Sequence, residues 1–452
     1  MRSIVERWGR TTLTLLALIL VLGLGLRAYS AVSPVANPAD DSHAYYAIAK
    51  GLYEDGSYGG HGFRDSSDWS PGAPLLYAAS FYATGGAREG TARVVEALLG
   101  AAAILVVFLL GTRIACRPAG LIAAFGVAVY PPFIHSTGEL MSEPAAILTL
   151  PAAVLAFLWA ADLGKPASPR DRTRGLRWLV PGLLFGATAM IRPEYLVVGV
   201  AFVVLAALRA WGLQGWRSGL IAGALVLSGL LLLILPWTIR NTVVLGRVVP
   251  ISTGGGKALY VGTYLPADGD YQRVKAILVE RYLHRELEPG SAALDRVDPT
   301  PLFDRVAARY PDLPRDSALG KIGKQDFSKY FGEDPLGYVG MTFRKVGRMW
   351  SGGVGAVMSS SAGRVVQVAI VLLALAGLGV LAWRRWWWEL VAMATPIVIV
   401  TAIGAASLAT SRRNEILMTL VIPLAAAALA RAGGALFSSG SWSPRQASSP
   451  QS

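Results

Sequence analysis

The feature that most constrains this chain is a recurrence of apolar runs along nearly its whole length. Each run is about 18–24 residues long, enough for a helix to cross a hydrocarbon core of roughly 30 Å. A soluble chain of 452 residues would instead divide into two or three domains with charged surfaces. Here 53% of the residues are hydrophobic and only 16% charged, and the charges fall between the runs. The pattern predicts an all-α polytopic membrane protein with about ten transmembrane helices, near 11–29, 92–112, 116–134, 141–161, 178–192, 195–210, 219–237, 365–383, 387–407 and 415–433. The fifth and sixth are short and meet at Ile191-Arg192-Pro193-Glu194, which suggests tilted or broken helices.

Orientation follows from the short loops, because Lys and Arg concentrate on the cytoplasmic side. Arg2, Arg7 and Arg10 precede the first run. Arg113 and Arg117, then Lys165, Arg170, Arg172, Arg174 and Arg177, then Arg209 and Arg217, then Arg384 and Arg385 occupy alternate connections. This places both termini in the cytoplasm and both long loops outside. The net charge of +13 is thus a topology signal, and no nucleic-acid partner is expected. The start of the chain resembles a secretory signal, but its apolar run is long and Arg27 interrupts the cleavage region, so an uncleaved first span is expected. A single cysteine, Cys116, excludes an internal disulfide framework and any multi-cysteine metal site.

The organisation expected is an N-terminal transmembrane region (1–237) with a first outer loop (30–90), an extracytoplasmic and mainly helical loop domain (238–364), C-terminal transmembrane helices (365–433) and a disordered cytoplasmic tail (434–452). The first outer loop is acidic and the second basic. Within the first, Tyr45, Ile48, Ala49, Leu52 and Tyr53 recur at helical spacing, with His43, Lys50 and Glu54 on the other face. That is an amphipathic helix suited to the membrane surface. Glycines 56, 59, 60 and 62 end it, and Pro71-Gly72-Ala73-Pro74 opens a second interfacial helix through Tyr82.

Asp40 and Asp41 stand where the first interfacial helix begins. One of them suffices as an N-cap, and either is placed to act as a general base at the outer face. Cations gather at the outer ends of spans: Arg192, Arg240, Lys257, Arg412 and Arg413. Each can simply snorkel to the interface, but Arg192 and Arg412 sit in short outward loops, against the usual charge bias. Guanidinium also matches phosphate geometry. Glu143 at a helix start is electrostatically comfortable, or else orients an arginine. Gly254-Gly255-Gly256-Lys257 lacks the spacing of a nucleotide-binding loop, and Asp268-Gly269-Asp270 lacks the remaining ligands of a calcium loop.

Taken in order, these segments resemble the GT-C superfamily of membrane glycosyltransferases, in particular the protein O-mannosyltransferases and lipid A aminoarabinose transferases. The segment Asp41-Ser42-His43-Ala44-Tyr45-Tyr46-Ala47-Ile48-Ala49 with Gly56-Ser57-Tyr58 resembles the family's first-loop pattern. Ser70-Pro71-Gly72-Ala73-Pro74, Met141-Ser142-Glu143-Pro144, Arg192-Pro193-Glu194, Pro236-Trp237 with Arg240-Asn241, and Arg412 also have counterparts. The resemblance implies inverting transfer of a sugar from a polyprenyl-phosphate donor to a lipid, glycan or protein acceptor. It puts Asp41 in the catalytic position with Asp40 as the near alternative. Arg192, Arg240, Lys257 and Arg412 are then candidates for the donor phosphate, supported by Glu143, Glu194, His43 and Tyr45. Such a leaving group departs as an anion, so it calls for cations and one base rather than two carboxylates. Arg413 departs from the family pattern, where a Tyr often follows the last-loop Arg. No cofactor is firmly implied, and a divalent cation stays open. The competing reading is a transporter or flippase of a lipid-linked glycan. It fits less well, because the spans carry almost no charge, no two halves repeat, and the polar groups cluster at one face.

Overall fold

The structure, a computed structural model, describes residues 8–33, 40–59, 66–161 and 173–437. Those residues form helices and connections, with no β-strand among them. Arg2, Arg7, Lys165, Arg170, Arg172, the loop glycines 60 and 62, the side chain of Asp40 and the tail 438–452 lie outside the described residues.

Among the described residues, eight helices are long and apolar enough to cross a membrane. They are α1 (Arg10–Val32), α4 (Glu89–Ile114), α7 (Glu143–Ala161), α9 (Tyr195–Gln214), α10 (Trp216–Leu245), α16 (Ser361–Trp383), α17 (Trp387–Ala406) and α18 (Ser411–Phe437). The pair α5 (Arg117–Val129) and α6 (Pro131–Gly138), bent by 43°, is a broken span or a re-entrant loop, and makes nine crossings if it is one span. The fifth expected span is α8 (Leu179–Ile191), which at 13 residues is too short to cross by itself. It packs against α10 through Gly182 and Gly229, where a Cβ would lie 2.1 Å and 2.5 Å from carbonyl oxygens of the facing helix. Small residues at such crossings let backbones approach closely.

The bend has a cause in the sequence. Pro131 and Pro132 lack the N–H groups that would bond the carbonyls of Val127 and Ala128. Arg27, fully buried in α1, supplies the missing donors: its guanidinium bonds Val127 O at 2.9 Å and Ala128 O at 3.2 Å. Gly100 makes room for it, since a Cβ there would sit 2.4 Å from Arg27 Nε. Arg27 thus stands in for the backbone donors that the two prolines remove.

Two shorter helices fill the first long connection: α2 (Asp40–Asp55) and α3 (Gly72–Thr84). Tyr45, Ala49, Tyr77 and Phe81 pack them together, so the apolar stripe of α2 faces α3. Residues 249–351 build a cap of short helices: α11 (Gly255–Thr263), α12 (Tyr271–Leu283), α13 (Thr300–Ala307), α14 (Arg315–Glu333) and α15 (Pro335–Ser351). Its own core includes Val261, Val274, Leu278, Leu302, Phe303 and Leu319. The cap sits on the bundle end that carries α2 and α3. At the other end basic and tryptophan residues interlock: Arg113 pairs with Glu389 at 2.8 Å, Arg209 lies 5.1 Å from the Trp388 ring, and Arg431 lies 4.9 Å from Trp383.

Candidate active site

Four charged side chains from four helix ends meet under the cap. Asp41 is in the first turn of α2, Glu143 starts α7, Arg192 follows the last residue of α8, and Arg412 is in the first turn of α18. Arg412 joins the carboxylates: its Nη1 donates to Asp41 Oδ2 at 2.7 Å and its Nε to Glu143 Oε1 at 2.9 Å. Arg192 donates to the same Glu143 oxygen. Glu143 is buried with a side chain only 2% exposed, whereas that of Asp41 is 37% exposed. The inner carboxylate thus holds the two arginines, and the outer one faces the space under the cap. Behind them Arg413 stands 4.0 Å from Glu194, which accounts for the residue that departs from the expected Tyr.

Asp41 Oδ2 accepts from Arg412, which draws its carboxylate into the charged cluster. Burial alone raises the Asp41 carboxyl, but the Arg412 guanidinium more than offsets it, so the group rests below its ordinary range and is ionised. Tyr45, one turn on, is buried, and burial pushes its phenol up, keeping it neutral. Two guanidiniums and two carboxylates balance. Yet buried donors are left over: Arg192 Nε and Arg412 Nη2 have no hydrogen-bond partner among the described residues. Buried donors of this kind are costly unless something accepts from them.

The other expected phosphate ligands lie elsewhere. Arg240 is held between the rings of Tyr58 and Trp237, at 5.2 Å and 5.0 Å, and donates to Asn241 Oδ1 and to the Tyr58 carbonyl. Lys257 sits over Tyr271 and Phe303 in the cap, 5.3 Å and 4.9 Å from their centroids. Neither contacts the Arg192–Arg412 pair. Lys257 and the exposed His43 instead line a cavity of about 570 Å³ between α2 and the cap, and Asp41 lines it too. One wall is a network that the sequence did not reveal, in which Asp68 binds both Thr253 and Arg315 and so ties the first loop to α14. Asp268 pairs with Arg344 and Arg348, an ion cluster rather than a calcium loop. Among the described residues no three metal-ligating side chains come together.

Several solved structures have this architecture. All three compared here are forms of the oligosaccharyltransferase AglB of Archaeoglobus fulgidus. The complex with an inhibitory peptide and a dolichol-phosphate matches with a TM-score of 0.54 at 14% identity, over 96% of this chain and 52% of that one. The form tethered to an acceptor peptide containing the NVT sequon gives 0.55 at 15% identity, over 95% and 50%. The complex with Zn and sulfate gives 0.54 at 16%, over 93% and 49%. The chain shares its fold with these oligosaccharyltransferase structures. It spans about half their length, so the likeness covers their common portion alone. No family model matches the chain, and no curated protein is similar to it in sequence.

Proposed function

We propose that this protein is an inverting glycosyltransferase that moves a sugar from a polyprenyl-phosphate donor to an acceptor at the outer face of the cytoplasmic membrane. The observation that carries the reading is the pair of unpartnered buried donors on Arg192 and Arg412, beside an ionised Asp41 that faces a cavity. Two carboxylates balance the two guanidiniums, so the free N–H groups are what a phosphodiester monoanion would take up here. The dolichol-phosphate bound to one of the neighbours is consistent with a lipid-linked donor.

In this mechanism the donor phosphate seats against Arg192 Nε and Arg412 Nη2. An acceptor hydroxyl or amine enters from the cavity and attacks the anomeric carbon on the face opposite the phosphate. Its proton passes to Asp41 as the bond from carbon to nucleophile forms. The bond from carbon to phosphate oxygen breaks with its electron pair, and the arginines hold the charge that develops. No acid is required, because polyprenyl phosphate leaves as an anion. Arg240, caged by two aromatic rings, and Lys257, across the cavity, fall outside this phosphate site.

The test uses the purified chain in lipid nanodiscs. Asp41→Asn is expected to lower transfer by roughly 10²–10⁴-fold while leaving donor binding intact. Full activity there with loss in Asp40→Asn moves the base by one residue, and activity in both removes the mechanism. Arg192→Ala is expected to weaken undecaprenyl-phosphate binding roughly 10–100-fold, the effect of losing a charge-assisted bond. Unchanged affinity would return Arg192 to a structural role.

A further inference from the structure

We infer that the acceptor is a neutral carbohydrate chain, bound in the cavity between α2 and the cap. The inference rests on the transfer reading above and specifies its second substrate. Three kinds of surface meet around the cavity of about 570 Å³, a volume in the usual range of ligand sites. Tyr271, half-buried, provides an aromatic ring, with the buried Phe303 near-parallel to it at 18°. Asp295 and Asp298, both exposed, provide hydrogen-bond acceptors on one rim. Lys257 provides a donor: its ammonium lies 5.3 Å from the Tyr271 ring centroid and makes no ion pair among the described residues. A sugar matches all three, with a C–H face for the Tyr271 ring and hydroxyls that both donate and accept.

Charge separates this occupant from others. Asp68 and Arg315 neutralise one another, and Asp41 already has Arg412. Asp295, Asp298 and Asp316 then outnumber Lys257 and Arg296, so the cavity repels a phosphate- or uronate-bearing chain. Of the ways an extended peptide is recognised, pairing with a sheet edge finds no strand among the cap's described residues. Asp41 lines the same cavity, which puts an acceptor hydroxyl within reach of the proposed base.

Ligand-observed NMR on the full chain in nanodiscs tests this. The probes are neutral tetrasaccharides of mannose, glucose and arabinose, tetragalacturonate, and a hexapeptide rich in Ser, Thr and Asn. At least one neutral tetrasaccharide is expected to bind, and Tyr271→Ala to weaken it about tenfold. Asp295→Asn with Asp298→Asn, both at exposed positions, is expected to bring tetragalacturonate binding up toward that of the neutral probe. The inference falls if no neutral tetrasaccharide binds, if the peptide or the uronate binds more tightly to the unmodified chain, or if both variants leave binding unchanged. Undecaprenyl-phosphate binding is measured on the same samples. If it is retained, the donor reading stands while the acceptor assignment fails.

Discussion

Arg412 is shared by two carboxylates through different nitrogens, and this sharing sets how Asp41 behaves. A carboxylate paired this way is ionised but a weak base. Under the proposed transfer, a donor phosphate on the free Arg412 N–H would draw on the same guanidinium and weaken its hold on Asp41. The pairing also fixes the pH response. Arg412 holds the Asp41 carboxyl below its ordinary range, so the acid limb of kcat/KM should lie below that range in the unmodified enzyme. In Arg412→Gln the cation is gone, burial dominates and the carboxyl rises, so the limb should move to higher pH. A profile from pH 4 to 8 checks this, and a limb that stays put would show that Arg412 does not govern Asp41.

At the scale of elements, α15 determines how the cap meets the bundle. Lys345 on α15 is buried, and its Nζ donates to the carbonyls of Gly262 at 2.7 Å and Ser407 at 3.0 Å. Gly262 lies so close to Ser407 that a Cβ would be 2.1 Å from its carbonyl carbon. Residue 407 leads directly into α18 and Arg412, so this contact sets where the site's arginine begins. Burial lowers Lys345 from its ordinary 10.5 to about 8. Below about 8 both folded and unfolded chains carry the proton and the desolvation cost is felt in full. Between about 8 and 10.5 the unfolded chain binds more protons, so stability rises with pH, by about 3 kcal/mol at most. The neutral amine still has two hydrogens for its two carbonyls. Thermal unfolding should therefore show Tm increasing over this window relative to Lys345→Met, and parallel curves would exclude the effect. Elements of this kind mark how far the sequence could be read. Glu143, Arg192 and Arg412 stand where an apolar run starts or stops and Asp41 where an amphipathic helix starts, which are local signals, and a helix end is where polar groups from several elements can meet. The 43° break between α5 and α6 was written in Pro131-Pro132, but hydropathy does not fall there, so it read as one span. The cage around Arg240 depends on Tyr58 reaching Trp237, and the seat of Lys257 on Tyr271 and Phe303 coming together. No local periodicity reports that.

For the whole molecule, the decisive asymmetry is between the two ends of the bundle. The site, the first-loop helices and the cap occupy one end, and interlocked arginines and tryptophans occupy the other, separated by helices such as α4, about 39 Å long. Arginine and tryptophan at one boundary fit a cytoplasmic interface, where basic loops are retained and indole rings sit at headgroup level. A lipid-linked donor held in the opposite leaflet would then present its phosphate to Arg192 and Arg412 at membrane depth, while the cap reaches into water to meet a soluble acceptor. This orientation is testable in intact cells on a background where Cys116 is replaced by Ser. Glu288→Cys, exposed on the cap, is expected to react with a membrane-impermeant thiol reagent added outside. Gln214→Cys, exposed at the far end of α9, is expected to react only after permeabilisation. The reverse pattern would put Asp41 in the cytoplasm beside nucleotide sugars, where a polyprenyl-phosphate donor loses its rationale, and the proposed transfer would have to be abandoned along with the topology.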